Sequence, residues 1–136
     1  MNTSATPTKK LDTKELLSIL WIVVMINMLK ADILSLFIPE SAAELARTAA
    51  STGVPISQLM LVGAIMGELA IVMIILARVL PQGVNRWLNL IMGVITIAYI
   101  WGGAVAYPHY TFIAIVETIC LLLIIGQAWQ WRTVDA

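Results

Sequence analysis

The chain has 136 residues, of which 60% are apolar and 12% charged, with a mean hydropathy of +0.93; a soluble domain is about 45–50% apolar and about 25% charged. An ordinary soluble globule is thereby excluded. Eight basic and eight acidic residues cancel, and without a clustered basic patch a nucleic-acid partner is excluded as well. A single cysteine, Cys120, leaves no intrachain disulfide and no cysteine-built metal or redox site.

A helix needs about 20 apolar residues to cross a bilayer core about 30 Å thick. Four stretches reach that length, at 16–38, 56–80, 87–106 and 111–131. They predict one all-α domain over residues 1–136, an antiparallel four-helix membrane bundle with the lipid bilayer as its surroundings. The first stretch follows Lys9, Lys10 and Lys14, but it is longer than the roughly 7–15 apolar residues of a signal peptide and reads as a retained anchor. Next comes the loop from Pro39 to Pro55, where Ser41-x-x-Glu44 has the pattern of a capping box and predicts a short surface helix. Spans two, three and four are joined by short connections, Pro81-Gln82-Gly83 and a turn around Pro108, so they are expected to be packed neighbours. Trp21, Trp87, Trp129 and Trp131 fall near span ends, where indole rings favour the headgroup zone.

Basic residues set the orientation. Lys9, Lys10, Lys14, Arg78, Arg86 and Arg132 share one side of a four-span chain and Arg47 has the other. The positive-inside rule then places both termini in the cytoplasm.

The spans contain four ionisable residues: Lys30, Asp32, Glu68 and Glu117. A charge at the bilayer centre costs about 2.5–3.5 kcal/mol on insertion scales, so each needs a partner, a cavity or a neutral form. Glu68 is central in its span, while Asp32 and Glu117 lie about 6–8 Å toward the opposite side from the termini. Three carboxyls on three helices thus share the middle and outer half, and repulsion and desolvation together predict that at least one is neutral near pH 7. At 100° per residue, Trp21, Met25, Met28, Asp32 and Ser35 share a stripe on span one; Leu61, Ala64, Glu68, Ile71 and Ile75 share one on span two. Tyr110, Ala114, Glu117, Leu121, Ile124 and Ala128 do so on span four. Each acid-bearing stripe is expected to face the bundle interior, with Tyr99 and Trp101 of span three at the depth of the acids.

Lys30 lies about 200° round its helix from Asp32 and shares a face with Asn27. It either snorkels to the interface or pairs with Glu68 or Glu117. Gly63-x-x-x-Gly67 and Ala98-x-x-x-Gly102-x-x-x-Ala106 are candidate edges for close helix approach. The methionines read as packing residues and lone His109 as a surface or gate residue; no metal site and no cofactor are expected.

Leu20-Trp21-Ile22-Val23-Val24-Met25-Ile26-Asn27-Met28, then Ala31-Asp32-Ile33-Leu34-Ser35, with Glu117 and Ala128-Trp129-Gln130-Trp131 at the far end, resembles a family of small uncharacterised bacterial membrane proteins. The layout also resembles DoxX-like four-helix membrane proteins. These resemblances imply a multi-pass protein of the bacterial inner membrane and assign no catalytic roles.

Three functions compete. The first is a non-enzymatic module that binds a lipophilic or cationic small molecule, or relays protons, through Asp32, Glu68 and Glu117 with Lys30, Asn27, Tyr99 and Trp101 around them; the aromatic rings offer cation–π contact. The second is a membrane-embedded acid/base enzyme, such as an isomerase acting on a lipid-soluble substrate with two carboxyls of separated acidity. The third is an accessory subunit, either a homo-oligomer or bound to another membrane protein through a small-residue edge.

Overall fold

The computed structural model describes residues 8–103 and 107–132. The end of predicted span three, including Ala106, lies outside the described residues. Five helices follow in order: α1 Thr13–Ser35, α2 Ser41–Thr52, α3 Ile56–Val79, α4 Gln82–Gly102 and α5 Pro108–Gln130. All but α2 are long and apolar enough to cross a membrane. The molecule is an all-α, multi-pass membrane bundle.

The boundaries follow from local chemistry. Glu15 accepts a hydrogen bond from the Asp12 backbone N–H at 3.4 Å, closing the start of α1 earlier than a count of apolar residues places it. α1 ends at Ser35, short of the predicted 38: the N–H groups of Leu36, Phe37 and Ile38 donate to the carbonyls three residues back, a tighter turn that leads into Pro39, whose preceding residue is disfavoured in helical geometry. The surface helix α2 exists, yet the Ser41–Glu44 box does not form: the cap is Glu40, without a side-chain hydrogen bond. The Ser41 N–H instead donates to the Ile38 carbonyl at 3.1 Å, so the turn leaving α1 already satisfies it. Gly53 stops α2 at φ +70°, a left-handed conformation in which a side chain would be strained. α4 starts at Gln82, five residues before the predicted 87, since Asn85 turns inward and donates to the Ala77 carbonyl at 2.7 Å.

Packing departs from the expected serial order. α1 sits between α3 and α5, α4 lies on α5, and α3 and α4 touch little despite the short turn at Pro81. Small residues on α3, Ala70 and Ala77, face the core with Met73, and they let α1 approach closely enough for the Ser18 hydroxyl to donate to the Ile74 carbonyl at 2.9 Å. The core runs through Leu17, Trp21 and Val24 of α1, Met92 and Ile100 of α4, and Leu121 and Ile124 of α5.

Toward the Pro81 end the core is polar and fully satisfied. Trp21 donates to Asn89 at 2.8 Å, Asn89 donates to the Asn85 side chain at 2.7 Å, and Arg78 donates to Ser18 at 3.3 Å. Trp21 is completely buried, which corrects its expected place in the headgroup zone. Trp87 and Trp129 are exposed, and they flank the Arg86 guanidinium at 5.7 and 5.8 Å. Arg86 also donates to the Ala128 and Trp129 carbonyls at 3.0 and 3.3 Å, satisfying groups that the C-terminus of α5 would leave orphaned.

Candidate functional site

At the other end, toward α2, the four long helices diverge around a cavity of about 200 Å³. Met25, Met28 and Asp32 of α1 line one wall, and Tyr110, Ala114 and Glu117 of α5 line another. These are the predicted stripes of spans one and four. α3 contributes Gly63, Gly67 and Ile71, and α4 contributes Tyr99 and Ile100.

Among the described residues Glu117 is the best-buried acid, at 3% exposure. Its Oε1 is shielded from solvent and has no hydrogen-bond partner. A buried acceptor left unsatisfied costs about 1–3 kcal/mol, and more when charged, so this carboxyl is an unusual group to place in the wall of a cavity. It lies nine residues into α5, about 13 Å from the helix start. Asp32 is three residues from the end of α1, about 5 Å, and stands at the more open mouth. The acids thus occupy two levels of one cavity.

The seam between α3 and α4 is the thinnest wall. A Cβ built on Gly63 would stand 3.4 Å from the Tyr99 hydroxyl, so the phenol reaches across the seam onto glycine backbone. A Cβ built on Gly67 would meet nothing within 4 Å. The predicted Gly63/Gly67 edge is therefore a cavity wall and not a packed helix contact. At the second predicted edge, Gly102 is likewise open. The glycine that does permit close packing is Gly93, where a Cβ would fall 2.7 Å from Ile125 Cγ1.

Several expected site residues lie elsewhere. Glu68 is exposed on the outer surface of α3, as are Leu61, Ala64, Ile71 and Ile75 of its stripe; only Ile71 also edges the cavity. α3 is apolar all round, so its periodicity does not distinguish the inner face, which is Met66, Ala70, Met73 and Ala77. Trp101 is 44% exposed and donates to the Thr118 hydroxyl at 2.9 Å, tying α4 to α5 on the side away from Tyr99. Asn27 is buried and donates to the Val23 carbonyl at 2.9 Å, while Lys30 is exposed. Among the described residues the ion pair present is Lys9 with Glu15, 3.8 Å; neither Glu68 nor Glu117 pairs with Lys30. Tyr110 was absent from the expected site group, although its place on the Glu117 stripe is visible in the sequence.

Beside the cavity mouth, His109 stacks on Tyr107 with centroids 5.9 Å apart, and its Nε2 is shielded without a partner. Loss of solvent, then the nearby Glu44 carboxylate of α2, pushes the Tyr107 hydroxyl above the ordinary phenol value. The surface helix therefore lies close to the start of α5.

The sequence model of a family, DUF6326, described as being of unknown function, matches residues 8–136. The chain belongs to DUF6326. No curated protein and no solved structure matches it. Membership in DUF6326 brings no substrate or residue roles, and the chemistry available is that of the cavity itself: two carboxyls, two phenols and otherwise apolar walls.

Proposed function

We propose that the protein is an intramembrane binding module that holds a lipophilic small molecule in the cavity between Asp32, Glu117, Tyr99 and Tyr110. The observation that carries this reading is the buried Glu117 carboxyl, which lines the cavity and has no hydrogen-bond partner within the chain at Oε1. A structural hydrogen bond between helices would leave no such orphan, and the Pro81 end of the same bundle is satisfied almost atom by atom. Pockets that bind small molecules combine apolar walls with a few converging polar groups. A wall as thin as the α3–α4 seam favours entry from the lipid side. The resemblance of spans one and four supports a bacterial inner-membrane, DoxX-like protein, and the six-to-one distribution of basic residues supports cytoplasmic termini.

The test is mass spectrometry of the mildly extracted protein, wild type beside Gly67→Leu. A Cβ at position 67 meets nothing within 4 Å and the position lines the cavity, so a leucine there is expected to take up cavity space. The wild type is expected to retain a small molecule that the folded variant loses. Equal retention by both, or a stoichiometric protein partner in place of any small molecule, overturns the binding reading and favours an accessory subunit.

A further inference from the structure

We infer that the cavity selects a primary ammonium group carried on a single aliphatic chain; this rests on the binding reading above and names its ligand class. Three features of the lining converge on that head. The Glu117 carboxyl lines the cavity and has no partner within the chain at Oε1, so a ligand that brings an N–H or O–H complements it. Asp32 is a second acid on the same cavity, and no Lys or Arg lines it, so a positive head balances a carboxylate where an anion would be repelled. Tyr99 and Tyr110 line the same space, and aromatic rings suit a cation. A quaternary ammonium has the charge but no N–H, and offers the Glu117 carboxyl no donor. An alcohol has the donor but no charge.

The walls describe the rest of the molecule. Met25, Met28, Ile71 and Ile100 are apolar, and methionine adapts readily to flexible chains. A cavity of about 200 Å³ holds a head and a short run of methylenes, and the remaining chain passes through the α3–α4 seam beside Gly67, where a Cβ would meet nothing within 4 Å, and not at Gly63, which the Tyr99 hydroxyl covers. In a membrane, primary ammonium groups are carried by free alkylamines and by the ethanolamine and serine headgroups of phospholipids. Glu117 lies about 13 Å along α5 from its start, and an ethanolamine lipid reaching it would drag its phosphate past Asp32. The geometry therefore favours the free amine.

The experiment uses the full chain in mild detergent and native mass spectrometry, with dodecylamine, dodecyltrimethylammonium and dodecanol offered at equal concentration, and in a separate arm phosphatidylethanolamine against phosphatidylcholine. One dodecylamine per chain is expected, favoured at least tenfold over the trimethyl compound and the alcohol, with the preference lost in Glu117→Gln. Glu117-dependent retention of phosphatidylethanolamine over phosphatidylcholine also supports the ammonium assignment and identifies the lipid as its source. If the trimethyl compound or the alcohol binds as well as the amine, and Gly67→Leu removes it, the ammonium assignment falls while the cavity stands as a binding site. If no probe binds and nothing co-purifies, both fall. Glu117→Gln is checked for the wild-type melting temperature, and Asp32→Asn serves as the second variant, expected to weaken amine binding less than Glu117→Gln. Undiminished preference in both variants also overturns the assignment.

Discussion

The indole N–H of Trp21 on α1 donates to Asn89 Oδ1 on α4 at 2.8 Å, linking two helices that otherwise barely meet, with both side chains completely buried. This bond fixes the diagonal of the bundle, and Asn89 is in turn held by the Asn85 carbonyl and side chain. Polar bonds between membrane helices measure about 0.6–2 kcal/mol, and a buried donor left without an acceptor costs about 1–3 kcal/mol. Asn89→Ala is therefore expected to destabilise the protein by about 1–2 kcal/mol. Unfolding in mixed detergent should also show Trp21→Phe and Asn89→Ala combining to less than their sum. An unchanged unfolding midpoint for Asn89→Ala would show that the diagonal bond carries no stability.

Two glycines make opposite predictions. At Gly93 a methyl group collides with Ile125 Cγ1 at 2.7 Å and Cδ1 at 3.2 Å, and overpacking of this kind costs about 1–3 kcal/mol. Gly93→Ala should lower the melting temperature in detergent, and Ile125→Ala placed in that background should return part of the loss. At Gly67 the same methyl meets open space, so Gly67→Ala should be neutral or stabilising by up to about 1 kcal/mol through helix propensity. Equal losses at the two sites would contradict the assignment of one as a packing contact and the other as a cavity wall.

The four spans and the surface helix were legible because span length and breaker residues are local signals, and the stripes of α1 and α5 were legible because Asp32 and Glu117, the acids that mark them, do line the cavity. Glu68 was misplaced for the converse reason. Every face of α3 is apolar enough for either lipid or core, so a single acid does not reveal which side turns inward. Asn85 and Asn89 carry no charge and so do not stand out by insertion cost, although two asparagines four residues apart on one helix face are a signal for an inward polar stripe. The close approach at Gly93 depends on the position of Ile125 on another helix, which no spacing rule within α4 encodes. GxxxG-like patterns pointed instead to Gly67 and Gly102, where nothing is close.

Orientation is tested by reporters. Alkaline phosphatase, active only when exported, is expected to be silent when fused after Arg132 and active when fused after Thr52, in the loop that carries Arg47. The reverse pattern would place the termini outside and put the Asp32 mouth of the cavity on the cytoplasmic side.

The last prediction sets two glutamates against each other. Glu117 is 3% exposed and lines the cavity; Glu68 is exposed on the lipid-facing surface of α3 and does not. Glutamine preserves the shape and most of the hydrogen bonding of glutamate but cannot ionise, so any difference between the two variants reports charge at each location. Glu117→Gln should reduce retention of a co-extracted ligand at least tenfold, about 1.4 kcal/mol, while Glu68→Gln leaves it unchanged. Removing the exposed acid altogether should help the bundle: a charged side chain at the bilayer centre costs about 2.5–3.5 kcal/mol on insertion scales, so Glu68→Leu is expected to raise membrane insertion and resistance to unfolding. Both readings are separable in one set of preparations, since ligand retention is measured by mass and stability by the detergent midpoint. If Glu68→Gln loses the ligand and Glu117→Gln keeps it, the cavity is not the site, and the working carboxyl is the one that faces lipid.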